Sequence, residues 1–441
     1  MAASYGDWKG SGAHFNKMTL YPRTVMRGLE VDEEFLPLFE RALAWVVIAT
    51  VFFLPISEAL KNICYVVSLV LYLVVTFGID RERIVVPPVG WFLLSFLGAA
   101  ILSAAVSPYP GKALTGVWGV FRYTSFFFIV ERGLRDERHV RVALWAAVTS
   151  FGLAAFVTIL SYFHHTVLLG GPHHIDALSL GGIDYAALHS VMTVALIFGM
   201  YVHTGVAGWR GNLLLTIACL SVVLLGLTHT RMLWAGFILI ALILGWLRSA
   251  RVAVTGVAIS ILLVLGVGIV TSDVRNQIVS LGTSEPYKTM GEGGIRLELW
   301  KKAIAMWRDA PWLGVGPKTF NLHDDVRHNP QRVRYGFRQG HAHNLYLQTA
   351  VEMGTVGLVI LVAMFGYIGV WLIRCRRRFL SSWPAAVWDG AFGSWLAVLI
   401  GGLTEPNFGR ENAMFFFMLL ALVQVTVGGK RSAVATERQR P

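Results

Sequence analysis

Apolar segments long enough to cross a lipid bilayer recur throughout this chain, and they constrain its fold more than any other feature. They extend from about Leu43 to Val427, and at roughly 20 residues per crossing they provide about twelve helices. Hydrophobic residues make up 55% of the sequence and charged residues only 15%, a composition outside the range of soluble domains. We therefore exclude a soluble enzyme and predict an all-α polytopic membrane protein.

The predicted crossings form two groups separated by one long hydrophilic segment. By the length that a crossing needs, about nine fill residues 42–270 and about three fill residues 346–429. The individual spans are predicted at 42–57, 63–78, 89–106, 114–130, 140–162, 186–202, 212–228, 233–247, 252–270, 346–373, 388–404 and 411–429. Residues 1–41 lack the pattern of a signal peptide, and we expect them to be cytoplasmic, like residues 430–441.

The distribution of basic residues predicts the orientation of these helices. If the N-terminus is cytoplasmic, most arginines outside the long segment fall in cytoplasmic loops, among them Arg81, Arg83, Arg132, Arg135, Arg138, Arg141, Arg210, Arg248, Arg251, Arg374, Arg376, Arg377 and Arg378. The short loops on the other side carry only Lys61, Lys112, Arg231 and Arg410. By the positive-inside rule, this asymmetry predicts that both termini are cytoplasmic. It also accounts for the net charge of +12 without a nucleic-acid partner.

The long hydrophilic segment, residues 271–345, falls on the non-cytoplasmic side. Loops of this length in compact proteins usually carry function, so we expect the chemistry there. Within it, residues 295–307 have an amphipathic pattern that predicts a helix at the membrane surface. Pro311, Gly314 and Gly316 predict a turn after that helix.

A histidine at the junction of this loop and the next span is the main candidate for catalysis. On a helix, one face would be shared by His343, Leu347, Ala350, Gly354 and Gly357. Small residues on that face would let a neighbouring helix approach closely. At the N-terminal end of a helix, His343 would be neutral and able to accept a proton. The alternative is an interfacial histidine that only caps the helix.

Three arginines occupy positions where a positive charge needs a stabilising partner. Arg231 lies at the outer end of a span, where it either binds a ligand or extends to the lipid headgroups. Arg296 follows Gly293-Gly294-Ile295 at the start of the amphipathic segment. This position suits the binding of a phosphate, and the alternative is an ordinary surface arginine. Arg122 lies inside a predicted span, where a structural pair with an acid and a catalytic role both fit.

No pattern in the sequence has the spacing of a metal or nucleotide site. The three cysteines are widely separated, and Asp324 and Asp325 are only a weak signal for a cation. One outward loop is rich in metal-ligand residue types without a fixed spacing: His164, His165, His173, His174, Asp176 and Asp184. Walker and Rossmann loops are absent from the sequence, which disfavours an ATP-driven pump. We predict no metal and no cofactor.

Three motifs, in order along the chain, resemble those of the O-antigen ligase and polymerase superfamily. They are Thr230-Arg231, the block Gly294-Ile295-Arg296…Trp300…Pro311-Trp312-Leu313-Gly314-Val315-Gly316-Pro317…Phe320, and His343-Asn344 followed by Gly354 and Gly357. The resemblance covers about residues 210–425. The first half of the chain resembles the family only in hydropathy.

The resemblance implies a GT-C-like fold with short helices in one large periplasmic loop. It further implies an inverting, metal-independent glycosyltransferase of the Gram-negative inner membrane. Its donor would be O antigen on undecaprenyl diphosphate and its acceptor a lipid A-core oligosaccharide. His343 would then be the base, and Arg231 and Arg296 would bind the diphosphate.

Other side chains near the motifs are candidates for positioning the substrates: His341, Asn344, Gln348 and Arg122. Within the superfamily we favour ligation, because the single long loop and about twelve spans are ligase-like. The alternatives are an O-antigen polymerase and a protein O-oligosaccharyltransferase. A transporter of the lipid-linked glycan, which would need the arginines but not the histidine, represents a different class.

Overall fold

The computed structural model describes residues 36–79, 86–168, 182–228, 230–270, 292–323, 340–379, 382–406 and 408–437. Within these ranges the chain is helical and contains no strand, which confirms the predicted all-α class. Several predicted features lie outside the described residues: most of the N-terminal segment 1–41, residues 271–291 and 324–339 of the long loop, His173, His174, Asp176, Asp324 and Asp325.

Thirteen α-helices follow one another in the described parts of the chain. They are α1 (Leu36–Phe53), α2 (Glu58–Leu73), α3 (Pro88–Val106), α4 (Pro110–Gly133), α5 (Glu137–Tyr162), α6 (Ile183–His203), α7 (Trp209–Leu227), α8 (Arg231–Trp246), α9 (Ala250–Val270), α10 (Glu292–Asp309), α11 (Leu345–Cys375), α12 (Ser382–Gly401) and α13 (Arg410–Glu437). Each of the twelve predicted spans corresponds to one of these helices, and α10 is the helix predicted in the long loop.

Nine of the helices in the described ranges are long and apolar enough to cross a membrane. Three predicted spans form shorter apolar helices, in α8, α9 and α13. The chain is therefore a multi-pass membrane protein, and the total of twelve crossings stays a prediction. The first helix begins at Leu36, before the predicted residue 42.

Local signals in the sequence set the starts of several helices. Proline occupies the first helical position of α3 and of α4, where its missing N–H costs no hydrogen bond. The Ser57 hydroxyl caps α2 by accepting from the Leu60 backbone N–H. The outer stripe of α2 is apolar and exposed, as expected of a lipid-facing surface: Leu60, Ile63, Val67 and Val70.

Helix α13 forms the centre of the bundle. Its residues from Glu411 to Val423 are all buried, consistent with a helix that is apolar on every side. Its first turn also carries an acid, Glu411, which pairs with the fully buried Lys61 of α2. An ion pair satisfies both charges inside the bundle, where an isolated charge would be costly.

The segment between α10 and α11 docks against α11 through its backbone. The amides of Val315 and Gly316 donate to the carbonyls of Val351 and Glu352, at 2.9 and 3.0 Å. The Thr355 amide donates to the Pro311 carbonyl at 2.8 Å. The predicted turn after the amphipathic helix is thus packed against α11 by backbone hydrogen bonds. On the other side, the Ser107 hydroxyl donates to the Val315 carbonyl at 2.7 Å.

Gly354 makes this docking possible. It interrupts α11 with φ 66° and ψ −170°, a conformation available almost only to glycine. A Cβ atom there would lie 2.1 Å from the Trp312 carbonyl oxygen. The small residues of α11 predict the close approach of a neighbouring helix. At Gly354 this is wrong, because the backbone of a turn occupies that place.

We expect Gly354→Ala to destabilise the protein by at least about 1–3 kcal/mol, the cost of such a backbone conformation for a residue with a Cβ. The steric conflict with Trp312 adds to this cost. Thermal unfolding of the detergent-solubilised protein measures it. Gly366→Ala is the matched control on the same helix, because a Cβ at Gly366 meets nothing within 4 Å. Equal melting temperatures for the two variants would contradict the role given to Gly354.

Candidate active site

The turn before α11 is fixed by hydrogen bonds to the connection between α12 and α13. The Asn344 side chain caps α11 by accepting from the Leu347 amide at 2.9 Å, and it donates to the Leu403 carbonyl at 2.8 Å. The Leu345 amide donates to the Gly402 carbonyl at 2.7 Å. The end of the long loop and the connection between α12 and α13 therefore meet at the start of α11.

His343 lies just outside the helix. Its backbone has φ 47°, in the left-handed region that is uncommon for residues other than glycine. The prediction that His343 shares a helical face with Leu347 and Ala350 is therefore wrong, because Asn344 rather than His343 is the capping residue. The left-handed turn directs the imidazole toward the connection between α12 and α13.

One buried carboxylate holds both the candidate base and a candidate phosphate ligand. Glu405 Oε2 lies 2.7 Å from His343 Nδ1, and Arg296 Nη2 donates to Glu405 Oε1 at 2.7 Å. The Glu405 side chain is 2% exposed, against 23% for His343 and 28% for Arg296. We call these three residues the Glu405 triad. It joins α10, the turn before α11 and the connection after α12.

The hydrogen bond to Glu405 determines which nitrogen of His343 can react. An ionised carboxylate only accepts hydrogen bonds, so Nδ1 carries the proton in this pair. The neutral ring then has its lone pair on Nε2, which is the atom able to take a proton from a substrate. A buried carboxylate behind the ring also stabilises the imidazolium that forms.

His341 packs against His343. The ring centroids are 4.2 Å apart in an edge-to-face arrangement. Burial lowers the pKa of His341 to about 4, and the nearby His343 contributes in the same direction. His341 is therefore neutral at physiological pH. Its Nδ1 atom is buried and has no hydrogen-bond partner within the described ranges.

Within the part of the chain that the structure describes, His341, His343 and Glu405 form a group that could hold a metal ion. Their ligand atoms lie within 4.8 Å of one another. However, Arg296 already binds one Glu405 oxygen, and its positive charge opposes a cation at the same carboxylate. Metal independence therefore stays a prediction.

Gln348 holds the histidine turn in place. Its side-chain oxygen accepts from the Ala342 amide at 2.7 Å, and its amide nitrogen donates to Glu352 at 2.7 Å. Asn344 is likewise engaged with backbone, as described above. The geometry therefore gives both residues a part in positioning the turn that carries His341 and His343.

A cavity of about 630 Å³ opens beside His341. Its lining includes three residues singled out from the sequence: Arg122, His341 and Gln348. Arg122 Nη1 donates to Asn62 Oδ1 at 2.9 Å and lies 3.7 Å from Glu58 Oε1. The predicted intramembrane arginine thus has an acidic neighbour and also faces the same space as the long loop.

Arg231 lies at the same end of the bundle. It begins α8, and Gly236 of that helix lies against Ile400 near the end of α12, just before the connection that contains Glu405. The Arg231 side chain is exposed. Of the two predicted phosphate ligands, the structure places Arg296 in the triad and Arg231 at the first position of α8.

Glu405 was not found from the sequence. It is an acid in a short connection and is separated from His343 by 62 positions, so no local spacing links the two. The available signal was that Glu405 is a carboxylate on the side of the membrane where the chemistry was expected. The same reasoning would also have selected Glu411, which instead pairs with Lys61.

Residues 215–362 match the family model described as O-antigen ligase. This match confirms the resemblance found in the sequence and supports a transferase. The matched segment contains Arg231, Arg296, His341 and His343, together with Asn344 and Gln348, whereas Arg122 and Glu405 lie outside it. No curated protein matches the chain.

Proposed function

We propose that this multi-pass membrane protein of the O-antigen ligase superfamily transfers O antigen from undecaprenyl diphosphate to a hydroxyl of lipid A-core oligosaccharide. The reaction takes place at the periplasmic face of the inner membrane and inverts the anomeric configuration. The observation that carries the proposal is the Glu405 triad, in which one buried carboxylate orients a histidine and an arginine. The histidine packs against His341, which lines a large cavity.

Each residue of the site has a part in this reaction. The acceptor oxygen attacks C1 of the donor sugar while its proton passes to His343 Nε2. The bond between C1 and the diphosphate oxygen breaks, and undecaprenyl diphosphate leaves with the bonding electrons. Arg296 and Arg231 stabilise the negative charge that develops on the diphosphate. Attack opposite the leaving group gives inversion.

Two arginines can supply the charge stabilisation that a divalent cation supplies in other transferases. Guanidinium groups form paired hydrogen bonds with phosphate oxygens and remain charged at every physiological pH. The Arg296 bond to Glu405 leaves its remaining N–H groups available, because a guanidinium has five donors. A metal is therefore unnecessary in this proposal.

Polymerisation of O-antigen repeats and transfer of the glycan to a protein are the alternatives within the superfamily. All three reactions need the same base and the same diphosphate ligands, and they differ only in the acceptor. A glycan transporter would need no base. The Glu405 triad favours a transferase over a transporter, because transfer to an acceptor hydroxyl requires a group that takes the hydroxyl proton, and the triad orients such a group.

The test is transfer by the purified full-length protein in excess EDTA, with undecaprenyl-diphosphate glycan and lipid A-core as substrates. We expect lipid A-core carrying the glycan to form at the same rate as without chelator. Loss of product that added Zn²⁺ or Mg²⁺ restores would instead assign His341, His343 and Glu405 to a metal. Growth of the glycan on its own carrier would move the assignment to a polymerase.

A further inference from the structure

One face of α4 lines the cavity and carries positive charge. Lys112, Thr115, Gly119 and Arg122 recur at steps of three and four residues, so they share one side of the helix. All of them line the cavity. The first half of the chain therefore contributes two cations to the space beside His341.

The long loop contributes a third cation because Gly116 lets it rest directly on α4. A Cβ atom at Gly116 would lie 2.6 Å from Pro317 Cβ and 2.8 Å from the Pro317 carbonyl oxygen. Lys318, the next residue, is exposed and lines the cavity. The close contact thus brings Lys318 to the same space as Lys112 and Arg122.

The acids in the cavity wall already have partners within the protein. Glu58 is 2.5 Å from Lys61, and Glu352 accepts from the Gln348 amide at 2.7 Å. Arg122 is 13% exposed, and its Nε atom is buried with no hydrogen-bond partner within the described ranges. A buried guanidinium N–H without a partner costs free energy that an incoming anion can recover. The cavity is therefore suited to an anionic ligand.

We infer that Lys112, Arg122 and Lys318 form a subsite for a phosphorylated saccharide, the acceptor of the transfer. This inference rests on the proposed function, in which Arg296 and Arg231 already bind the donor diphosphate. A second anionic substrate needs its own cations, and these reach the cavity from α4 and from the turn after α10. Asn62 and Thr115 in the same wall provide hydrogen-bonding groups for sugar hydroxyls.

The first test compares lipid A-core with lipid A-core whose phosphates have been removed by a phosphatase. We expect Lys112→Gln and Arg122→Gln each to raise the KM for the intact acceptor about tenfold, as charge-assisted hydrogen bonds to phosphate are lost. With the dephosphorylated acceptor, the variants and the wild type should have the same KM. The donor KM should be unchanged throughout.

A second variant tests the cavity by filling it. A Cβ at Gly119 meets nothing within 4 Å, so Gly119→Phe fits the helix and projects into the cavity. We expect it to abolish acceptor binding while donor binding persists. Lys301→Gln is the matched control for charge, because Lys301 is an exposed lysine of α10 paired with Glu298. It should leave both KM values unchanged.

The result that overturns the subsite is a rise in the donor KM, or a rise in the acceptor KM that is the same with and without phosphates. Direct binding of lipid A-core in the absence of donor separates this inference from the proposed function. If the wild type transfers nothing but binds phosphorylated lipid A-core in a way that Lys112→Gln weakens, the subsite stands without the reaction. If the wild type does not bind the acceptor, or if Gly119→Phe binds it as the wild type does, the subsite is wrong.

Discussion

Replacing His343 by alanine is expected to lower the rate of glycan transfer by about 10²–10⁴-fold, the usual contribution of a general base. The variant removes the imidazole whose Nδ1 atom lies 2.7 Å from Glu405 Oε2, and with it the proposed proton acceptor Nε2. Donor binding should persist, because Arg231 and Arg296 remain. The measurements are single-turnover transfer with saturating donor, and donor binding in the absence of acceptor.

The control for His343→Ala is His139→Ala. His139 lies at the start of α5, edge-to-face with Trp45 and remote from the Glu405 triad in the fold. The His139→Ala variant should transfer glycan at the wild-type rate. A His343 variant that retains transfer would move the role of base to His341, whose ring is adjacent. Transport of lipid-linked glycan that survives the replacement, with no transfer by the wild type, would favour the transporter.

Glu405→Gln is expected to reduce kcat by about 10²–10⁴-fold, as when other histidine–carboxylate pairs lose their charge. The amide has the same shape, but it cannot stabilise an imidazolium and leaves Arg296 without its counter-charge. We regard Glu405 as a positioning residue, because it acts on the substrates through His343 and Arg296. The KM for the acceptor should change far less than kcat.

The double variant Glu405→Gln with His343→Ala distinguishes this role from a general loss of structure. If Glu405 acts mainly through His343, adding Glu405→Gln to His343→Ala should lower kcat little further. Glu298→Gln on α10 is the control for removing an acid near the site. Additive losses in the double variant, with a lowered melting temperature, would assign Glu405 to folding alone.

Much of the architecture follows from hydropathy, because a bilayer-spanning helix needs a long apolar run that is visible in the sequence. All twelve predicted spans are helices, and the amphipathic pattern at 295–307 identifies α10. The interruption of α11 at Gly354 does not follow from hydropathy. The spacing of its small residues is compatible both with a close helix and with a docked turn, and only the positive φ separates the two.

The candidate site was predictable only in part, for a similar reason. His343, Arg296 and Arg231 stand in motifs and could be found locally, whereas Glu405 meets them through the packing of distant connections. Arg122 was recognised as an intramembrane charge with an acidic partner or a catalytic role. Its place in the cavity wall depends on how α4 packs against the long loop through Gly116, which no local pattern encodes.

The central position of α13 has a consequence for biosynthesis. A chain that emerges from the ribosome in order must insert α2, with Lys61, long before Glu411 has been translated. Until then Glu58 of the same helix is the acid that lies beside the buried lysine, Glu411 is missing, and the connection that carries Glu405 is not yet packed against the start of α11. The candidate active site is therefore expected to form only after α13 has entered the membrane. A premature stop codon before α13 should yield a product that is recognised by membrane quality control and degraded.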